Sequence, residues 1–457
     1  MSLWTLKTLA EAAEGRLVGA SPDSAVSGIS IDTRTLKPGD VYFAIRGVSM
    51  DGHRFVPDAI ARGAAAAVIS SGEAERAVVV DDVLGALERV GIAARARIAA
   101  GTPVVAVTGS VGKTGTKEML RLAFGEGTHA SAASFNNHWG VPLTLSRMPA
   151  DARAGIFEIG MNHAGEITPL TKMVRPTIAI VTTVGPVHLE FFDSVAGIAD
   201  AKAEIFLGLE PGGVAIIPAD NAYAPRLADA ARAVGTRIVT FGTAEADIAL
   251  DHYDPESGAV AARAFGRPVR FVIAGGGHIA RNALAVLGAL EAAGRPLSDI
   301  EALSGWSAQK GRGRRVTLDV AGGEAVLLDE AYNANPASMA AAIAALGATP
   351  ARRRIAILGD MLELGVASGE LHRGLAPLLI EADARIVHTI GPMMKELENS
   401  LPMAMRGIHA SDADAFAAMF PVIEAGDAVL VKASNGVGLF RLVSMIEERY
   451  GRDANHV

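Results

Sequence analysis

The stretch that most constrains this chain is residues 103–118, PVVAVTGSVGKTGTKE. Pro103 leads into the apolar run Val104–Val107, which reads as a buried strand. Thr108, Gly109, Ser110, Val111, Gly112, Lys113 and Thr114 then form a glycine-bearing turn, and Lys117–Phe124 has the make-up of a helix. A strand, a turn with glycine at two points and a helix N-terminus together make an anion site. The glycines let backbone amides close around phosphate oxygens, and the helix dipole favours negative charge there. Lys113 supplies a point charge for the outer phosphates, and the Thr114 hydroxyl can sit on a magnesium ion. The common phosphate-loop pattern has a glycine where this chain has Val107, so what stands here is the shorter G-x-x-G-K-T. The short form favours nucleotide phosphate over a plain strand–helix turn.

Length and charge narrow the setting. A chain of 457 residues, half of them hydrophobic, suggests about three domains with large cores. A net charge of −8 argues against general nucleic-acid binding, because phosphate backbones are held by clustered Lys and Arg. An anionic ligand needs a local positive patch instead. Cysteine is absent, which excludes disulfides and thiolate metal sites and fits a reducing compartment. Glu11 and Glu14 interrupt the first apolar positions, so MSLWTLKTLAEAAEGRLVG reads as a helix rather than a signal peptide. No uncharged apolar run reaches the ~18 residues of a membrane span. A soluble, cytoplasmic protein is expected.

Taken in order, residues 1–82 read as a small α/β domain, with strand, turn and strand in SGISIDTRTLKPGDVYFAI and a helix from about Pro57. A helix over 83–100 connects it to a domain ending near 308. There, strands at 104–107, 155–159, 177–184, 213–217 and 236–241 alternate with helices at 114–124, 165–173, 195–208, 223–234 and 278–293. That alternation predicts a mostly parallel sheet covered on both faces, with 246–274 adding antiparallel strands. Residues 309–457 form a second alternating series, a dinucleotide-fold-like domain entered through a linker and hinge at 311–313. The class is therefore α/β, in three domains: an N-terminal substrate domain, a central ATPase-type sheet and a C-terminal domain. Ligands of such sheets sit at the carboxyl ends of strands, where the phosphate turn also lies.

Several residues are placed to do chemistry. Glu158 ends a strand of the same sheet, where a carboxylate can share a magnesium with Thr114. His188 follows the strand 177–184 through Gly185-Pro186-Val187 and is either structural or a ligand. Lys202, by its spacing from Glu204, reads as a surface lysine. Asn282 lies on a helix after a glycine run and can meet an adenine edge or a neighbouring backbone. Arg312 and Arg314 crowd the hinge, either solvated or completing a phosphate site on closure. Asp329, Glu330, Tyr332, Asn333 and Asn335 concentrate polarity in a strand–helix turn, which favours binding over capping alone. In the first domain, Asp32-Thr33-Arg34 and the turn from Arg46-Gly47 to Asp51-Gly52-His53 are either solvated loops or a site for a charged, sugar-like ligand.

With these residues in place the chain resembles the Mur ligases, the ATP-dependent amide-forming family of peptidoglycan synthesis. The resemblance runs over nearly the full length through TGSVGKTGTKEM, FNNHWGVPLTL, FEIGMNHAGEI, TTVGPVHLEFF, AKAEIF, LLDEAYNANPASM and ILGDMLELG. FNNHWGVPLTL, GMNHAGEI, YNANP and GDMLELG point to the branch that joins D-alanyl-D-alanine to a UDP-N-acetylmuramoyl-tripeptide. The resemblance implies that ATP phosphorylates the tripeptide carboxylate and that the dipeptide amine attacks the acyl phosphate. It implies two magnesium ions, one held by Thr114 and Glu158, the other near His188 and a carbamoylated Lys202. It further assigns Asn282 to adenine, Arg312 to phosphate with Arg314 as a rival, and Glu330 to the nucleotide. Thr33, Arg34, Gly47 and Asp51 to His53 match the UDP-sugar portion, Asn136 and Asn137 fit substrate near the central domain, and a monomer suits the family.

Three positions depart from the family pattern. Gly115 replaces a usual Thr, Glu330 stands where an Asp commonly meets the ribose, and KASN at 432–435 replaces a frequent KGSR, so no arginine contact is carried over there. A sister ligase adding another amino acid, and a non-catalytic nucleotide-binding module, are the competing functions. The latter needs Lys113 and Thr114 but has no use for Glu158, His188 and Lys202 together.

Overall fold

A computed structural model describes residues 2–47, 49–132, 134–243 and 245–451. Among the described residues, three large sheets follow one another along the chain, with a short antiparallel pair, Trp4–Thr5 and Ala25–Val26, beside the first. The first has five strands in the order Arg16–Val18, Ala77–Val79, Ala66–Ile69, Asp40–Phe43 and Gly28–Ser30, all parallel except the first pair. Its strands are short and almost wholly apolar, as befits a sheet covered on both faces. The helix Val83–Arg97 is capped by Asp82, whose carboxylate accepts from the Leu84 and Gly85 amides. Leu87, Val90 and Ala94 of that helix lie in the core of the first sheet. Its other side meets helix Gly140–Ser146 so closely that a Cβ on Gly91 would stand 3.1 Å from the Pro142 carbonyl. Arg95 also donates to the Val174 and Arg175 carbonyls at 2.7 Å. The helix thus splints the first sheet to the second.

The central sheet has nine strands. Thr128–Ala130, Ala154–Glu158, Val104–Thr108, Ile178–Val181, Val214–Pro218, Arg237–Gly242 and Ile248–Tyr253 run parallel, and Ala259–Ala264 and Arg267–Val272 finish it antiparallel. Helices Lys113–Phe124 and Gly277–Ala292 cover one face, and helices including Ile167–Val174, Val195–Ala203 and Ala224–Ala233 cover the other. The chain leaves Val104–Thr108 toward one edge and returns to its other side at Ile178–Val181. The strand order therefore reverses beside Val104–Thr108, and a crevice opens at the carboxyl end of that strand.

The third sheet runs Arg314–Val320, Gly323–Glu330, Asp427–Lys432, Arg353–Gly359, Ile386–Ile390 and Arg406–Ala410, parallel after its first pair. Its edge pairing slips between Val387 and Thr389, and there the buried His388 ring, through Nδ1, accepts the Ile408 amide at 2.9 Å. Two short helices, Ser368–Arg373 and Leu375–Glu381, follow one another and are broken at Gly374. Thr128–Ala130, Gly140–Ser146, Met394–Ser400 and Arg406–Ala410 had no clear periodic signal, because each is short and settled by packing against longer neighbours. Among the described residues no helix is long and apolar enough to cross a membrane.

Candidate active site

Between the second and third sheets lies a cleft of about 640 Å³. Its floor is the phosphate turn. Gly109 has φ +150°, and a Cβ there would fall 1.9 Å from Thr182 Oγ1. Gly112, at φ +87°, leads into helix Lys113–Phe124, and its missing Cβ leaves room for the Asn282 amide, which would otherwise stand 2.6 Å away. Both positions therefore require glycine. The turn is tied to the neighbouring strand end: Thr182 Oγ1 donates to the Val111 carbonyl at 2.6 Å, the Ser110 amide to the Thr183 carbonyl at 2.9 Å, and the Ser110 hydroxyl to the Gly185 carbonyl at 3.1 Å. Lys113 Nζ donates to the Gly109 carbonyl at 2.7 Å. Burial pulls the Lys113 pKa down, opposed by the Glu158 charge and reinforced by Arg312. These three side chains are within electrostatic reach of one another.

Glu158 is 1% exposed at the last position of its strand. Its Oε1 accepts from Asn136 Nδ2 at 2.8 Å, while its Oε2 has no partner. A buried carboxylate oxygen left unpaired beside the phosphate turn suits a hard metal. No group of three or more His, Asp or Glu side chains gathers as a metal cage among the described residues. A cation here would complete its shell from Thr114, Glu158, phosphate oxygens and water, which fits magnesium and its few protein ligands.

Beside it, His188 sits at φ +55° with its Nδ1 2.5 Å from Glu363 Oε2 of the third sheet's domain. Burial lowers the His188 pKa, Glu363 opposes that, and Lys113 and Lys202 add to it. Lys202, in the last turn of helix Val195–Ala203, is 2% exposed. The surface position that its spacing suggests is therefore not what the structure shows: Glu204 is engaged by the Gly165 and Thr168 amides, while Lys202 turns inward and has no hydrogen-bond or ion-pair partner among the described residues. Burial, then the Lys113 charge, drives its pKa well below the usual lysine value. An unpaired buried ammonium is unfavourable, so the site shifts this lysine toward its neutral amine relative to an exposed one.

The third sheet supplies the roof. Arg312 Nη2 donates to Ser134 Oγ at 3.0 Å, and its guanidinium lies 3.8 Å over the Tyr332 ring. Ser134 Oγ is also 3.4 Å from Thr114 Oγ1, so one hydroxyl links the turn to the roof. Arg314 does not enter the cleft lining; it pairs with Glu447 and reaches Asp329 at 3.5 Å. Glu330 Oε2 is 3.4 Å from the buried Lys432 Nζ, which also donates to the Asn333 carbonyl at 2.9 Å. The 311–313 linker is held to this strand–helix turn, with the Gly311 amide donating to Asp329 and the Tyr332 amide to the Gly311 carbonyl.

Two expected binding residues turn out to be engaged in capping. Asn137 Oδ1 accepts the Trp139 and Gly140 amides, and Asn335 forms a capping box with Ser338 at the start of Pro336–Gly347, although Asn335 still lines the cleft. The first-domain residues lie apart from this cleft, at the carboxyl ends of their own sheet. Arg34 is chelated by Asp32, and Thr33 is buried. Asp51 accepts from the His53 amide and ring and from Arg46, which holds its pKa down at about 2. His53 Nε2 accepts the Ser70 amide, so its Nδ1 carries the proton toward Asp51. Gly52 lies against the Ile45 carbonyl, and Gly47 faces Trp139 of the central domain, where a Cβ would meet the indole at 2.9 Å. Ser134, Lys117 and Glu363 were missed as site residues. Glu363 lay in a quoted motif without a role, while Lys117 looks like any basic residue on an amphipathic helix. In fact it is fully buried and donates to the Ser131 carbonyl at 2.7 Å, behind the strand end that carries Glu158.

The fold and cleft define a nucleotide-phosphate-binding α/β protein whose site is assembled from two sheets. Family models match in succession: Mur ligase family, catalytic domain, over residues 25–100; Mur ligase middle domain over 107–290; and Mur ligase, glutamate ligase domain, over 311–435. The chain belongs to the Mur ligase family. It is 31% identical to the UDP-N-acetylmuramoyl-tripeptide–D-alanyl-D-alanine ligase of Synechocystis, covering 98% of this chain and 97% of that one. To the enzyme of the same name from Escherichia coli it is 32% identical, over 97% and 98%. Among solved structures, MurF from Acinetobacter baumannii superposes with a TM-score of 0.84 at 28% identity, covering 97% of this chain and 99% of that one. The MurF ligase of Thermotoga maritima in complex with ADP superposes with a TM-score of 0.77 at 25% identity, over 92% and 97%.

Proposed function

We propose that this chain is an ATP-dependent ligase that joins D-alanyl-D-alanine to UDP-N-acetylmuramoyl-tripeptide, and that it works as a cytoplasmic monomer. The observation that carries this reading is the cleft in which Lys113, Glu158 and Arg312 interact across two sheets, in a chain that matches ligases of that name end to end. The division proposed is 1–82 for the UDP-sugar portion, 83–308 for ATP and 309–457 for the closing ligase domain. Thr33, Arg34, Gly47 and Asp51 to His53 receive the nucleotide-sugar end. Asn136 both orients Glu158 and borders the peptide, with Asn137 shaping the adjoining helix start.

ATP binds with its phosphates on the turn from Thr108 to Thr114, adenine toward Asn282 and ribose toward Glu330. The tripeptide carboxylate attacks the γ-phosphorus, an O–P bond forms, the β–γ bridge breaks, and ADP carries off the electron pair. Positioning and charge neutralisation do most of the work in such a transfer. Lys113 and Arg312 approach the γ-phosphate from floor and roof. The dipeptide amine then attacks the acyl carbonyl, the C–N bond forms, phosphate leaves and the amine's proton is released. Thr114 with Glu158, and His188 with a carbamoylated Lys202, would hold magnesium ions, which supply neutralisation of phosphate and carboxylate charge when bound.

The carbamate is within the reach of this chain's own chemistry. A neutral Lys202 amine adds to carbon dioxide and loses a proton, converting a buried would-be cation into an anion. In 13C-bicarbonate, wild-type protein should show a carbamate carbonyl signal by NMR that Lys202→Ala lacks; equal spectra would remove the carbamate. The ligase reading itself is tested by ADP release with UDP-N-acetylmuramoyl-tripeptide, with and without D-alanyl-D-alanine.

A further inference from the structure

Five carboxylates line the cleft, and four are already committed. Glu118 is held by Lys117 and Arg121, Asp220 by the Thr243 amide and hydroxyl, and Glu330 by Lys432. Glu158 is buried, bonded to Asn136 through one oxygen, and its other, unpaired oxygen is the one assigned above to a cation. Glu363 differs. Its side chain is 41% exposed, its Oε2 meets the His188 ring, and its Oε1 has no partner among the described residues.

The backbone around it is shaped to put it there. Glu363 stands at φ +61° and His188 at φ +55°, both left-handed conformations that non-glycine residues adopt at a cost of about 1–2 kcal/mol each. Each lies just beyond the carboxyl end of a strand, Arg353–Gly359 in one sheet and Ile178–Val181 in the other. The two turns dock: the Glu190 amide donates to the Glu363 carbonyl at 3.3 Å, and a Cβ on Gly365 would stand 3.3 Å from Glu190 Cα. Two strained residues from separate domains thus bring their side chains together in the wall of the cleft.

What a carboxylate at that point can do follows from its surroundings. Beside the phosphate turn the cleft presents the Lys113 and Arg312 cations. Such a field draws in phosphates and carboxylates and repels an ammonium. Yet the second substrate of an amide ligase arrives as an ammonium and must come to rest beside the acyl group. We infer that Glu363 is the anion that binds the ammonium group of the incoming amine substrate and seats it next to the acyl phosphate. This rests on the ligase reading above. His188 fixes the carboxylate through one oxygen and leaves the other toward the cleft.

The test is steady-state kinetics of full-length Glu363→Gln and Glu363→Asp. Glu363→Gln should raise the KM for D-alanyl-D-alanine at least tenfold while the KM values for ATP and UDP-N-acetylmuramoyl-tripeptide stay within twofold, and Glu363→Asp should recover part of the loss. In parallel, wild-type enzyme should bind D-alanyl-D-alanine at least tenfold more tightly than N-acetyl-D-alanyl-D-alanine, a preference that Glu363→Gln abolishes. An unchanged dipeptide KM, or an equal rise in all three KM values, would overturn the assignment; the second result would leave Glu363 as a domain latch only. Failure of the ligase reading shows separately, as wild-type ADP release indifferent to the dipeptide. The KM comparison is then made with whichever amine does drive ADP release.

Discussion

At the level of single residues, the site depends on atoms that are missing as much as on those present. Gly109 has no room for a Cβ against Thr182, so Gly109→Ala must push the turn off the strand end. ATP binding, measured by calorimetry, should weaken at least a hundredfold, and a change under threefold would contradict the geometry. Lys202→Ala should nearly abolish turnover, with partial rescue by added short carboxylates that stand in for the proposed carbamate; full activity in the bare variant would exclude that role. His388 gives a pH signature away from the site. Burial lowers its pKa to about 4, below the ~6.5 of an unfolded chain, so the unfolded state binds more protons between those values. Its contribution is present above pH ~6.5 and is lost as pH falls toward 4, an effect on the order of 2–3 kcal/mol. Urea midpoints should fall less over that window in His388→Gln, which keeps an acceptor for the Ile408 amide; parallel curves would refute this.

At the level of elements, the strand–turn–helix unit was legible because its strand is a continuous apolar run and its glycines sit where the backbone must reverse. Strand Val104–Thr108 is buried throughout, and helix Lys113–Phe124 turns Met119, Leu120 and Phe124 into the core. Leu120→Ala should therefore destabilise the protein by about 2–5 kcal/mol in denaturant unfolding, well beyond the ~1 kcal/mol expected for removing the Asn335 cap. Comparable losses would mean that the helix is not packed as described. Sequence spacing failed where a side chain's destination is set by a distant element. Lys202 and Lys117 look solvated on their own helices and are buried only because a second layer covers them. Asn137 and Asn335 carry polarity that reads as binding, yet their side chains are engaged at helix starts.

At the level of the whole molecule, three sheets in series divide the labour. The helix Val83–Arg97 locks the first to the second through Arg95 and shared apolar contacts, whereas the third meets the second through few and polar links. Arg312 to Ser134 and Glu363 to His188 are two of them, and both lie in the cleft. The cleft is thereby complete only where the two sheets meet, an arrangement that suits the proposed acyl-phosphate chemistry by limiting water. The alternation of strands and helices made the layers readable, but which residues meet across the cleft was not, since no periodicity reports a contact between domains. Phosphate transfer in this cleft is proposed to serve amide formation. That role is tested most directly by ADP release with UDP-N-acetylmuramoyl-tripeptide, with and without D-alanyl-D-alanine. ADP release should depend on the dipeptide and match pentapeptide product one for one; release at the same rate without the dipeptide, and with no product, would rule out amide formation as its purpose.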